Sequence, residues 1–153
     1  MRMVIGILVL ASAACSAHDG PVASAGVAIV PQDITFADIE RHDLFGAGCY
    51  FLDNAGRSGD EKAPMLFLAS DEKGWLKLDG QMVEFVADQT SGELSYLSRS
   101  KYRGKELTTV LDRDSAKARS TGPETETAPG SITIRDEGDR VVFQRSGAID
   151  CGA

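Results

Sequence analysis

The chain has little with which to do metal or nucleophilic chemistry: two histidines, three cysteines and one tryptophan in 153 residues. Cys15, Cys49 and Cys151 stand too far apart for the short ligand spacings of a zinc site, so neither a metal nor another cofactor is expected. No glycine-rich phosphate loop is present, and the acidic stretches "DNAGRSGDE" and "DRD" lack the oxygen-ligand spacing of a calcium loop. Positive charge is in deficit, with 16 Lys and Arg against 23 Asp and Glu and a net charge of −7. That balance argues against nucleic acid as a partner, which wants a basic footprint. There is no internal repeat and no heptad pattern, and the N-terminal apolar run falls well short of the ~20 residues that cross a bilayer.

That run is what the chain does have. Arg2 supplies a positive start, residues 4–14 are apolar over about a dozen positions, the length of a signal-peptide core, and the small residues "ASAA" lead into Cys15. The pattern resembles a bacterial lipoprotein precursor, although Ser12 stands where that family prefers an aliphatic residue. The resemblance implies a signal peptide at 1–14, lipidation of Cys15, and a domain tied by its lipid to the membrane. Ser16 after the cysteine implies the outer membrane, with the domain facing the periplasm. The alternatives are cleavage within "ASAACSA", giving a soluble periplasmic or secreted protein, and an uncleaved anchor; each puts the domain outside the cytoplasm. Removing residues 1–14 takes away only Arg2 among the charged groups, so the net charge moves from −7 to −8.

If Cys15 carries lipid, Cys49 and Cys151 are left to pair, and an oxidising compartment permits the bond. Closing a loop of that length is worth about 4.7 kcal/mol on chain-entropy grounds. Two buried free thiols are the alternative. Residues 15–32, small and punctuated by Gly and Pro, read as a tether after the lipidated cysteine, with "VAIV" as a possible short strand, and 33–153 as one domain. "TFADIERHDLFGAG" predicts a short helix capped by Thr35 with Asp38 three residues on, and ended by Gly46.

From Cys49 the pattern is β. "CYFLD" and "PMLFLAS" are short apolar runs between turn-formers, and "GWLKLDGQMVEFVAD" carries a two-residue hairpin signal at Asp79-Gly80. That register sets Leu76 opposite Val83 and sends Leu78 and Phe85 to the same apolar face. "ELSYLS", "KELTTVLD", "GSITIRD" and "RVVFQRS" complete a set of about eight strands, with 115–130 as a polar loop. The expected fold is mainly β, a small antiparallel barrel or sandwich with one short N-terminal helix.

Three groups of residues invite a functional reading. Ser70 with Lys73, and Ser98 with Lys101, spell S-x-x-K, but that spacing works on a helix and these fall in a turn and a strand-like stretch. His42, beside Asp43 near the helix end, could serve a small envelope hydrolase if a nucleophile came near it. In "SRSKYRGKE", an extended chain would put Arg99, Lys101, Arg103 and Lys105 on one face and Ser98, Ser100 and Tyr102 on the other. The cations would either meet an anionic surface or an envelope protein, or protect an edge strand from pairing. "SRSKY" at 98–102, in a small lipoprotein-like precursor with cysteines near both ends of a β domain, is similar to the membrane-bound inhibitors of c-type lysozyme. The resemblance implies Ser98, Ser100, Lys101 and Tyr102 as a contact segment. The family's aromatic-aromatic-x-Lys-Gly stretch has no counterpart here. The leading expectation is a non-catalytic cell-envelope lipoprotein whose disulfide-closed β domain binds or supports a partner. A lysozyme-inhibitor-like protein and the His42 hydrolase are the alternatives.

Overall fold

The Asp79-Gly80 turn organises the first half of the domain. In the computed structural model, which describes residues 26–54 and 62–153, both turn residues have positive φ, 48° and 75°, as a two-residue hairpin of this kind requires. The turn joins β3 (Lys73–Leu78) to β4 (Gln81–Ala87) with Leu76 opposite Val83. Gly74, Leu76, Phe85 and Ala87 are buried on the inner face, with Leu78 and Val83 packed against them.

The remaining strands are β1 (Gly48–Leu52), β2 (Met65–Ala69), β5 (Lys101–Arg103), β6 (Leu107–Arg113), β7 (Arg119–Gly122), β8 (Thr125–Asp136) and β9 (Val141–Gly152). All pair antiparallel in the order β6-β5-β4-β3-β2-β1-β9-β8-β7. A second pairing, β6 with β8, closes the ring into an eight-stranded barrel with β7 as an added strand. Closure gives the barrel strands two neighbours each and removes free edges from the ring. β8 is long enough to hold both β6 and β7: residues 130–136 pair with β6 and 125–127 with β7.

Side chains fill the interior, as a barrel of this size requires. Phe51, Phe67, Phe85, Tyr102, Ile132, Ile134 and Ile149 are wholly buried. The Phe67 ring packs edge-on against Phe85 with centroids 5.5 Å apart and lies 5.4 Å from Tyr102. Position 74 has to be glycine because a Cβ there would sit 2.5 Å from the Phe67 ring and 2.9 Å from that of Tyr102. Cys49 and Cys151 face each other directly across β1 and β9, Cα atoms 4.0 Å apart, and form the expected disulfide across 102 positions of sequence.

Three local expectations change. "ELSYLS" is not a strand: Ser95–Leu97 form a 3-10 turn in which Tyr96 and Leu97 take φ of 55° and 62°. The 115–130 loop is mostly structured, as a 3-10 turn (Ser115–Lys117) and the β7–β8 hairpin, whose polar composition fits its exposed surface. The helix, α1 (Phe36–His42), stops before Gly46, because Asp43 takes the left-handed conformation and the Leu44 N–H closes back on Ile39 O at 3.0 Å. Of the expected tether only 26–32 is described, and that part lies along the barrel. The Ile29 N–H donates to Val142 O at 3.1 Å, and Gln32 Oε1 accepts from the Gly80 N–H at 2.7 Å. The expected signal peptide, 1–14, and Cys15 lie outside the described residues.

Candidate functional site

Strand alternation builds one outer face of the barrel from apolar groups. Cys49 and Phe51 point inward, so Tyr50 points outward; Phe67 and Ala69 are inside and Leu68 outside; Gly74 and Leu76 are inside and Trp75 outside. The register puts Tyr50 opposite Leu68 and Leu68 opposite Trp75, a continuous row across three strands. Carboxylates end the row: Asp150 lies opposite Tyr50 on β9, and Glu84 opposite Trp75 on β4.

Helix α1 roofs this row. Its cap follows the expected capping box: Asp38 N–H donates to Thr35 Oγ1 at 3.3 Å, and Thr35 N–H donates to Asp38 Oδ2 at 2.8 Å. Asp38 Oδ2 also accepts from Lys77 Nζ at 2.7 Å, pinning the helix to β3. The lysine bond first, then the Thr35 backbone and hydroxyl, hold the Asp38 carboxyl well below the usual carboxylate range. Upstream, buried Ile34 donates its N–H to Met65 O at 2.7 Å, fixing the approach to the helix. The far wall is the 95–97 turn. Ser95 donates to Glu126, which also meets the buried Arg113 guanidinium at 2.9 Å, and the Tyr96 hydroxyl donates to Glu124 O at 2.6 Å.

Between roof, row and wall lies a recess of about 540 Å³, lined by Ile39, Leu44, Tyr50, Leu68, Trp75 and Leu97 among others. Phe36, Phe45 and Leu97 stand at its mouth, 63%, 60% and 58% exposed, with the two phenyl rings edge-to-face at 6.1 Å. Three large apolar side chains left in water around one concavity is the pattern of a binding surface rather than of scattered exposure. A second recess of about 380 Å³ adjoins it, sharing Phe36, Ile39, Tyr50 and Met65 and adding Asp33, Lys62 and Asp150. Asp150 Oδ1 is buried there and accepts no hydrogen bond. Burial, and then the negative charge of Asp150, raise the Tyr50 hydroxyl above the ordinary tyrosine value.

The basic segment meets a different fate. Only Lys101–Arg103 is strand; Ser98 and Tyr102 are wholly buried and Arg103 and Lys105 exposed, so the serine and tyrosine are spent inside the fold. Ser98 Oγ donates to Ala69 O at 3.0 Å, and the Tyr102 hydroxyl donates to Ser70 O at 2.6 Å while accepting the Arg99 N–H at 2.7 Å. Burial pushes the Tyr102 hydroxyl up to about 12. Neither side chain is presented as the contact segment would need; Ser100 and Lys101 are half-buried. Nor is this an edge: β5 pairs with β4 on one side and β6 on the other. Arg99 lies 3.4 Å from Glu93 and Arg103 2.8 Å from Asp88, so two of the four cations have carboxylates of their own.

His42 is exposed at the end of α1. Ser70 Oγ bonds the Lys73 backbone while Lys73 Nζ reaches Glu84 at 3.0 Å, so this serine and lysine do not act on each other. Among the described residues no group of three or more His, Cys, Asp or Glu is arranged to hold a metal ion. Sequence reasoning missed the recess, although a signal existed. "CYFL" and "MLFLA" are apolar at consecutive rather than alternate positions, which marks strands covered on both faces. No family model, no curated protein and no solved structure matches the chain.

Proposed function

We propose that the chain is an exported, non-catalytic binding protein of the bacterial cell envelope, lipidated at Cys15, which holds an apolar ligand in the recess beneath α1. The observation that carries this reading is the outward row Tyr50, Leu68 and Trp75, roofed by a pinned helix and left open to solvent at Phe36, Phe45 and Leu97. The barrel interior is occupied by its own aromatic and branched side chains, which makes the outer recess the apolar concavity on offer. Its volume falls in the roughly 300–1,000 Å³ range of small-molecule sites. The disulfide, closing the domain from β1 to β9, suits an oxidising compartment and supports export.

Trp75 is the only tryptophan in the chain and lines the recess, so its fluorescence reports occupancy. Titration with decanol should shift its emission to the blue and saturate, and Leu68→Lys should abolish the response while the protein stays folded. A linear, unsaturable response in both proteins contradicts the reading. The anchor is tested separately by intact mass after membrane extraction: a lipid-modified species beginning at Cys15 is expected, and a water-soluble species beginning at His18 contradicts it.

A further inference from the structure

We infer that the ligand is a cationic amphiphile, a small molecule with an apolar body and an ammonium head, the body lying along Leu68 and Trp75 and the head meeting Asp150. This inference rests on the recess being the ligand site and adds the class of molecule that fills it.

Charge is the first argument. Among the described residues, the two adjoining recesses are lined by Asp33, Asp43, Asp71 and Asp150 against Lys62 as the one basic side chain. The larger recess, which holds the aromatic row, has the carboxylates Asp43 and Asp71 and no cation among its described lining residues.

The second argument is the place of Asp150. It lines the second recess directly opposite Tyr50, and its Oδ1, buried below that surface, is paired with no donor. An ammonium held at the recess wall supplies this carboxylate with compensating charge, which a neutral head does not. Tyr50, directly opposite Asp150, belongs to both recesses, so its ring joins the carboxylate to the apolar row. Aromatic faces attract cations and tolerate alkyl chains, so the same lining serves head and body.

Volume favours a small molecule over a folded partner. Each recess is of single-ligand size, and the apolar floor is three residues wide. A lysine-bearing amphipathic peptide is the rival occupant and an outcome of the test.

The experiment compares four probes of one chain length on the full chain in detergent-free buffer, read by Trp75 fluorescence and calorimetry. Decylammonium has charge and donor; decanol has a donor and no charge; decyltrimethylammonium has charge and no donor; decanoate has the opposite charge. Decylammonium should bind roughly tenfold or more tighter than decanol, and decanoate weakest. Asp150→Asn should bring decylammonium to within about threefold of decanol, and an unchanged urea denaturation midpoint shows that the variant has kept its fold. Decylammonium and decanol binding equally in the wild type overturns the cationic head while leaving the recess as the site. Loss of cation preference in Asp71→Asn but not in Asp150→Asn overturns the assignment of Asp150. Failure of all four probes overturns both the inference and the reading it rests on, and binding of a lysine-bearing amphipathic peptide in that case gives the recess to a protein partner.

Discussion

On the outside of β1, β2 and β3 the barrel carries Tyr50, Leu68 and Trp75; on the outside of β5 it carries Lys101 and Arg103, with Asp88 just after β4. Both faces belong to one closed sheet and both follow the same in-out alternation. What separates them is the residue at each outward position and what lies over it. The β5 face balances its own charge through Arg103 with Asp88 and Arg99 with Glu93, each pair having one exposed partner, and ion pairs at the surface contribute little to folding. The β1–β3 face keeps apolar surface under a helix that covers it only in part. Exposed charge is a common default for a solvated strand, whereas a partly roofed aromatic row calls for an occupant.

The comparison is sharpest between neighbours. Phe67 is inside the barrel and Leu68 outside it. Phe67→Ala should lower the unfolding free energy by about 3–5 kcal/mol, since it empties space between Phe85 and Tyr102. Leu68→Ala should cost about 1 kcal/mol or less, because that side chain is already part-exposed, and yet should weaken decanol binding. Urea denaturation of the two variants measures both costs, and equal midpoints would erase the distinction between the faces. Reducing Cys49–Cys151 should follow in size, at about 2–4 kcal/mol, and hydrogen exchange should rise first in β1 and β9, which the bond joins, rather than in β5.

The roof comes next. Asp38→Asn should destabilise by about 1–2 kcal/mol at neutral pH, because Lys77 loses its charged partner. The folded Asp38 carboxyl titrates below its unfolded value, so its contribution is complete above the unfolded range near 4 and declines as pH falls through it toward the lower folded value. Thermal melts of wild type and variant should therefore converge as pH drops from about 6 to about 3. A gap that widens with acid would show that another group holds the helix. Smallest of all, replacing Arg99, Lys101 and Arg103 with Ser should leave both the denaturation midpoint and decanol binding unchanged.

Much of the fold was legible where local chemistry is decisive. Asp79-Gly80 admits few turns, Thr35 and Asp38 spell a cap, and two cysteines at the ends of a β domain invite a bond. The misreadings came where tertiary partners override local pattern. "ELSYLS" looks like a strand, but Ser95 and Tyr96 are held as a turn by Glu126 and the Glu124 carbonyl, some 30 residues away in sequence. Of the 99–105 segment only 101–103 is a strand, and the edge that its cations might have protected does not exist, because barrel closure through β6 and β8 gives β5 two neighbours. The recess was least legible of all. It is assembled from α1, three strands and a turn, none of which carries a motif, and only the consecutive apolar residues in β1 and β2 hint that their outer faces are covered.

An amide-resolved NMR titration with decanol tests the central claim that the two outer faces differ in function. Saturable shifts are expected at Tyr50, Leu68, Trp75 and Leu97, which line the recess, with none at Lys101, Arg103 or Val110 on the opposite face. Shifts spread evenly over both faces, or concentrated on β5 and β6, would contradict it.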